Sequence, residues 1–236
     1  MKGKNMWFIS DLHFDHKNIL EYSGRPFETV PQMNDQLIKN ILKVVKPGDT
    51  LIIVGDFSLG AKKTDLREYI KRIKAAGITL VLVRGNHDYK NNEMMNLGFD
   101  LSVDKLELEI AKEQVTVMHF PYRQSVVKYG YYSLMNKLFP KKFWKERRYW
   151  DKLPYKEKYL IHGHTHATEL QNEFQINVSA EALNYTPISI HKVAELIQKH
   201  KNKRAKNETS WIRRWYAYVD RFRSRRIWTD HVPRTS

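Results

Sequence analysis

Histidine, aspartate and asparagine side chains follow several short apolar runs of this 236-residue sequence. In chain order they are Asp11, His13, Asp56, Asn86, His87, Asp88, His119, His162, His164 and His166. Oxygen and imidazole donors without thiolates suit Mn²⁺, Fe or Zn²⁺, and one carboxylate among them can be shared by two ions. Two ions about 3.5–4 Å apart can clamp a phosphate and lower the pKa of a bridging water. The residue types therefore predict a two-metal centre that acts on a phosphate ester.

The apolar runs that precede these side chains are typical of buried strands. Met6–Ser10, Thr50–Val54 and Thr79–Arg84 are bounded by Asp or Gly, and Val30–Val45 and Thr64–Ala76 between them carry apolar residues at helical spacing. This β-α-β-α-β order predicts parallel pairing with helical crossovers. Since strand ends on one side of such a sheet converge, we expect the polar side chains to meet there.

The second half of the chain has a different pattern. Leu106–Ile110 alternates strictly and Gln114–Met118 follows a short polar turn, which predicts a hairpin. Later predicted elements are strands at 159–162, 174–178 and 187–190 and a helix at 191–200. The alternation in His164-Thr165-His166 would let both histidines point one way from an extended segment. We expect an α/β fold in which two packed mixed β-sheets are flanked by helices, a four-layer sandwich.

Five short motifs carry a family resemblance. They are Asp11-Leu-His13, Gly55-Asp56, Gly85-Asn86-His87-Asp88, His119 and Gly163-His164-Thr165-His166. Together they resemble the five ordered motifs of calcineurin-like metallophosphoesterases, over about residues 5–199. The segments SDLHFDHKN, RPF and KPGDTLIIVGDF are similar to a short bacterial and phage-encoded branch. Each motif alone is a weak signal, but five in order are specific.

The resemblance implies a role for each predicted ligand. The first metal would be held by Asp11, His13 and His166, and Asp56 would bridge. The second metal would be completed by Asn86, His119 and His164. We expect Mn²⁺ in both positions, with Fe, Zn²⁺ or Ni²⁺ as alternatives.

The resemblance also implies catalytic and substrate contacts. His87 would donate a proton to the leaving oxygen, and Asp88 would orient or tune it. Arg84 and His16 could face the substrate phosphate. Arg84 could equally form a salt bridge, and His16 could simply support the loop from Asp11 to His13.

The composition excludes cysteine chemistry and argues against a membrane-spanning protein. Cysteine is absent, which excludes disulfides, thiolate metal sites and cysteine nucleophiles. The N-terminal apolar run is interrupted by Asp11 and His13, and no stretch approaches the roughly 18 apolar residues of a membrane span. We therefore expect a cytoplasmic protein without a transmembrane segment. The net charge of +15 suits a polyanionic partner or an anionic membrane surface.

The basic charge is concentrated at the C-terminus, which sets the predicted domain organisation. Residues 199–236 contain 12 Lys/Arg against three acidic residues, a net charge of +9. We predict a metallophosphoesterase domain at 1–199, with a basic aromatic insert at about 122–158, and a basic helical extension at 200–236. Residues 201–210 resemble a linker, and 211–227 could form an amphipathic helix. Its apolar face would dock on the protein's own domain or on a second subunit in self-association, with a membrane or a nucleic acid as alternatives.

The leading hypothesis is hydrolysis of a phosphodiester or phosphomonoester in a nucleotide or nucleic acid by a hydroxide that bridges the two metals. One alternative is a metal-stabilised binding module on the same fold. Another is a membrane-surface phosphoesterase anchored by residues 211–227. A protein Ser/Thr phosphatase is disfavoured, because those enzymes continue the second motif as Gly-Asp-x-x-Asp-Arg-Gly, whereas this chain has GDFSLG from Gly55 to Gly60.

Overall fold

Strands and helices alternate regularly through the first hundred residues. The computed structural model describes residues 5–122 and 158–207. The first part of the chain contains β1 (Met6–Ile9), α1 (Ile19–Tyr22), α2 (Val30–Val44), β2 (Thr50–Ile53), α3 (Lys63–Lys74), β3 (Thr79–Val83), α4 (Asn91–Leu97) and β4 (Leu101–Val103). The second part contains β5 (Leu106–Ile110), β6 (Glu113–Val117), β7 (Tyr159–His162), β8 (Gln171–Asn172), β9 (Gln175–Asn177), β10 (Ile188–Ser189) and a helix, α5, over residues 190–207.

The strands form two five-stranded mixed sheets, as the sequence predicts. The first has the order β10-β1-β2-β3-β4, with β1 to β4 parallel and β10 antiparallel to β1. Because the helical crossovers keep β1, β2 and β3 parallel, their carboxyl ends lie on one edge. Strand β4, which the sequence pattern did not predict, extends this sheet beside β3.

The second sheet has the order β5-β6-β7-β9-β8. Strands β5 and β6 form the predicted hairpin, turning through Ala111 and Lys112 with φ of 53° and 63°. Positive φ at both turn residues matches the twist of the flanking strands. Strands β6, β7 and β9 are parallel, so the chain ends after β6 and β7 also lie on one edge.

The core consists of two apolar layers. Phe8, Ile52 and Val81 face the second sheet and pack with residues such as Val115 and Ile161. The alternate residues of the same strands pack against α2, α3 and α4. With both faces covered, the strands need almost continuous apolar runs, which is why they stand out in the sequence.

The C-terminal helix is longer than predicted. Residues 201–207, predicted as a linker, are helical. The helix is held to the second sheet by Tyr159, whose hydroxyl lies 2.9 Å from His200 Nδ1, and by an ion pair between Lys201 and Glu113. Arg204 lies 4.9 Å from the ring centroid of Phe174. These contacts explain how a polar, basic segment continues the helix.

Two predicted features fall outside the described residues. They are the basic aromatic part of the insert, at 123–157, and the amphipathic helix at 211–227. Among the residues that the structure describes, no helix is long and apolar enough to span a membrane.

Candidate metal centre

The predicted metal ligands lie beyond the ends of β1, β2, β3, β6 and β7. Asp11, His13 and His166 form one group, in which the potential ligand atoms lie within 4.8 Å of one another. A second group with the same spacing consists of Asp56, His119 and His164. We call them the first and second ligand groups.

Asp56 lies between the two groups. Its Oδ2 is 3.3 Å from His119 Nε2, in the second group, and 3.7 Å from His13 Nε2, in the first. Its Oδ1 accepts a hydrogen bond of 3.0 Å from the main-chain N–H of His87. One fixed carboxylate therefore faces ligands of both groups, which is the geometry required of a shared ligand.

The ligands occupy an unusual backbone conformation. Five of them have positive φ, between 51° and 71°: Asp11, His13, Asp56, His164 and His166. Such conformations cost free energy in residues other than glycine and persist only where surrounding contacts hold them. Here the loops bind one another: the N–H of Asp11 donates to the Gly55 carbonyl (3.0 Å), and that of His164 donates to Asp11 Oδ2 (2.9 Å).

This conformation corrects one sequence expectation. Strand β7 ends at His162, so His164 and His166 do not lie on an extended segment. Their side chains instead belong to different ligand groups. The left-handed turns break the period-two alternation on which the expectation depended.

Two glycines bring the ligand loops into close contact. A Cβ atom at Gly85 would overlap the Asp56 carboxylate, and one at Gly163 would overlap Ser10 and the Asp11 carboxylate. The glycines of the third and fifth motifs are therefore required by the packing of the ligands themselves.

The first group is supported by a buried ion pair that the sequence analysis missed. His166 Nδ1 donates to Glu181 Oε1 at 3.0 Å, and the same oxygen accepts from Arg25 Nε and Nη2 at 3.0 and 2.8 Å. Arg25 also donates to the main-chain carbonyls of Asp11 and Leu12, at 2.6 and 2.9 Å. Arg25 belongs to the RPF segment noted above, whereas Glu181 lies in no recognised motif.

The second group is supported by the main chain. His119 Nδ1 donates to the Val54 carbonyl at 2.8 Å, which leaves Nε2 directed towards Asp56. A hydrogen bond at one ring nitrogen sets the tautomer and orients the other for metal binding. In the first group, the hydrogen bond from His166 Nδ1 to Glu181 orients His166 Nε2 for metal binding in the same way.

Several buried donor atoms have no hydrogen-bond partner among the described residues. Among the predicted ligands they are both ring nitrogens of His13, His119 Nε2 and Asn86 Oδ1, and beside the ligands they are His16 Nδ1, Ser179 Oγ and Glu181 Oε2. Burying such atoms unpaired is costly, but imidazole nitrogens and amide or carboxylate oxygens are ligands for divalent transition metals. The residues therefore fit two divalent cations.

The electrostatics favour neutral ligands at two positions. Burial lowers the pKa of His13 to about 2 and that of His164 to about 4, so both imidazoles are neutral near pH 7. For His119, burial is outweighed by the carboxylates of Asp56 and Asp11, and the pKa is raised to about 9. A cation in the second group would therefore have to displace a proton from His119.

Asp88 holds the loops together. Its carboxylate accepts main-chain hydrogen bonds from Gly85 (2.8 Å), Asp56 and Phe57 (both 2.9 Å). Burial and the nearby charge of Asp56 raise the pKa of Asp88 to about 6. Asp88 thus fixes the backbone on both sides of Asp56 and next to His87.

His87 lies on the open side of the site. Its side chain is 38% exposed, and its Nε2 is 3.9 Å from Asp56 Oδ2. Its ring centroid is 5.7 Å from that of His13. This position leaves the imidazole accessible to a substrate beside the shared carboxylate.

Of the two residues predicted to contact the substrate phosphate, His16 lies beside the first ligand group, whereas Arg84 forms a salt bridge. The His16 ring lies 5.1 Å from that of His13, and its buried Nδ1 has no hydrogen-bond partner in the part of the chain that the structure describes. Arg84 instead donates from Nε and Nη2 to Asp104, at 2.9 and 2.8 Å. The structure therefore shows Arg84 in the alternative salt bridge and His16 next to the first group.

Comparisons with known proteins agree with this geometry. The chain is 30% identical over 216 residues to the uncharacterized protein MJ1445 of Methanocaldococcus jannaschii, covering 88% of this chain and 99% of that protein. The crystal structure of AQ665, a protein of unknown function from Aquifex aeolicus, superimposes with a TM-score of 0.59 at 29% identity, covering 82% of this chain and all of that one (100%). Residues 4–168 match the calcineurin-like phosphoesterase family. The chain therefore belongs to the calcineurin-like phosphoesterases.

Proposed function

We propose that this protein hydrolyses phosphodiester or phosphomonoester bonds in a nucleotide or nucleic acid, using two divalent metal ions. The observation that carries the proposal is Asp56, whose Oδ2 lies within 3.7 Å of a histidine nitrogen in each ligand group. When bound, two such ions would neutralise phosphate charge and supply an activated water.

The predicted ligands are assigned to two metal positions. Asp11, His13 and His166 would hold one ion, and Asp56 would be shared. Asn86, His119 and His164 would hold the other. Because these side chains are fixed by the left-handed turns and by Glu181 and Val54, the site needs little reorganisation when substrate binds.

His87 is the proposed proton donor to the leaving oxygen. Its exposed imidazole next to Asp56 is within reach of a substrate held at both ligand groups. Asp88 supports this role through the main chain of the loops rather than by a direct contact that the structure describes. His16 is the stronger candidate for a phosphate contact, since Arg84 is paired with Asp104.

The metal and the position within the family are also proposals. Histidine, carboxylate and amide donors suit Mn²⁺, which we expect in both positions, with Fe, Zn²⁺ or Ni²⁺ as alternatives. Within the family, we propose that the chain belongs to the short bacterial and phage-encoded branch, because its opening segments are similar to that branch.

A nucleotide or nucleic acid substrate is supported by charge. The chain carries +15, of which +9 lies in residues 199–236. Lys and Arg bind phosphates, and aromatic rings stack on bases. We propose that the extension from residue 200 recruits a polyanion.

A truncated protein that tests this recruitment should end at residue 207, because α5 is helical up to that residue. A break near residue 198 would cut a helix that packs on the second sheet.

The test is a screen of phosphomonoesters, phosphodiesters, cyclic nucleotides and short single strands with added Mn²⁺. Activity should require divalent metal and disappear on chelation. Full activity after metals are stripped to background would contradict the mechanism. Metal binding without turnover on any of these esters would favour the alternative of a metal-stabilised binding module.

A further inference from the structure

A cleft opens beside His87, on the side of the site formed by the loop after β2. Its walls include Phe57, Leu59, Leu66, His87, Tyr89 and Met94, and its volume is about 280 Å³. We call it the His87 cleft. Phe57 directly follows Asp56, so the cleft begins one residue from the shared carboxylate.

The lining of the His87 cleft combines apolar and aromatic side chains with the polar groups of Ser58, His87 and Asp88. Phe57, Leu66 and Met94 lie at its base and are almost completely buried in the protein. The carboxylate of Asp88 also borders the cleft, but it is occupied by three main-chain N–H groups. Because Asp88 is the only acidic residue among the lining residues and none of them is Lys or Arg, the cleft is suited to a neutral group rather than to a cation or a second phosphate.

One aromatic ring lies at the solvent side of the cleft. Tyr89 is 39% exposed, although large apolar surfaces are usually buried. Lys63 Nζ lies 4.9 Å from its ring centroid and is itself paired with Glu93 at 2.9 Å, so a cation–π contact helps to hold the ring. An ordered, half-exposed aromatic ring provides a surface on which another flat ring can stack.

The size of the cleft limits what it can hold. A cavity of about 150 Å³ is large enough for a benzene ring. The His87 cleft, at about 280 Å³, has room for one ring system and no more than a small substituent.

We propose that the His87 cleft binds the leaving group of the ester, and that it selects leaving groups with one flat ring, such as an aryl alcohol. This inference rests on the proposed function, in which His87 protonates the leaving oxygen. A leaving group bonded to that oxygen must lie next to His87, and the cleft is the ring-sized space that His87 lines.

The test compares the binding of two phosphate mimics to the Mn²⁺-loaded protein by calorimetry. Phenylphosphonate should bind about tenfold more tightly than methylphosphonate, because stacking one ring on an aromatic side chain contributes roughly 5- to 150-fold in affinity. Ala61 also lines the cleft. Ala61→Phe should narrow the cleft and reduce the ratio of the two dissociation constants to about twofold or less. Tyr89→Ala should reduce the ratio as well.

The matched control is Ala75→Phe, the same change at an exposed position at the end of α3. It should leave the ratio at its original value. Equal affinities for the two phosphonates in the unmodified protein, or a ratio unaffected by Ala61→Phe, would overturn the cleft assignment while leaving the metal centre in place. Failure of both phosphonates to bind the metal-loaded protein would overturn the proposed function as well.

Discussion

The two ligand groups differ in what holds their histidines. In the first group, His166 donates to the side chain of Glu181, which is paired with Arg25 in the protein interior. In the second, His119 donates to the main-chain carbonyl of Val54 at the end of β2. The first group thus depends on two side chains that are distant in sequence, whereas the second depends on the strand itself. Removing Glu181 should therefore weaken the first group separately, whereas the main-chain carbonyl that orients His119 cannot be removed by changing a side chain.

The largest loss of activity and of bound metal is expected for a substitution of Asp56, which lies between the two ligand groups. Asp56→Asn removes a charge that faces both groups, so both metals should bind more weakly and metal content should fall at both. The loss of kcat should exceed the roughly 10²–10³-fold cost of removing one electrostatic contact to a transition state. His164→Ala and His166→Ala, each confined to one group, are the controls. Two retained metals with near-normal turnover would show that Asp56 is not shared.

His87→Ala should separate turnover from metal binding. Both groups keep their ligands, so metal content should stay unchanged. The rate should fall by roughly 10²–10⁴-fold for an ester whose leaving oxygen needs a proton, and much less for nitrophenolate, a good leaving group. Equal losses with both leaving groups would show that His87 positions the substrate instead.

Glu181→Gln tests the difference between the groups directly. The amide cannot balance Arg25 and accepts more weakly from His166, so affinity at one of the two metal positions should fall by about 10–100-fold. Equilibrium dialysis with metal analysis should then show one weakened and one unchanged position. Glu113→Gln, which alters the surface pair with Lys201, should change neither. Equal weakening at both positions would contradict independent support of the groups.

The smallest change in stability and turnover is expected for a substitution of Arg84, which belongs to neither ligand group. Its partner Asp104 is largely exposed, at 67% of its side chain. Arg84→Ala should therefore change the free energy of unfolding by less than about 1 kcal/mol, as for other surface pairs. Turnover should stay close to that of the unmodified protein, and His16→Ala should cost more. A larger kinetic loss for Arg84→Ala than for His16→Ala would restore Arg84 as a phosphate contact.

The sequence predicted a strand or helix correctly where a clear pattern of apolar residues extends over most of that element. The runs that form β1, β2 and β3 are apolar because both faces of their sheet are covered, and α2 and α3 follow from helical spacing between them. Short strands such as β4 and β8 were missed, since two or three residues carry too little pattern. The extent of α5 was also missed, because its last turns are stabilised by contacts with Glu113 and Phe174 rather than by an apolar stripe.

The sequence by itself determined the residue types of the metal centre and their order along the chain. Oxygen and imidazole donors at strand ends limit the chemistry, and five ordered motifs identify the family. The family resemblance already implied how those donors are divided between two metals, but only the tertiary structure decided how they are held. His164 and His166 reach their groups through left-handed turns rather than from an extended segment, and Glu181 reaches His166 because the fold buries it against Arg25. Both depend on contacts between residues far apart in the chain, which spacing along the sequence does not encode.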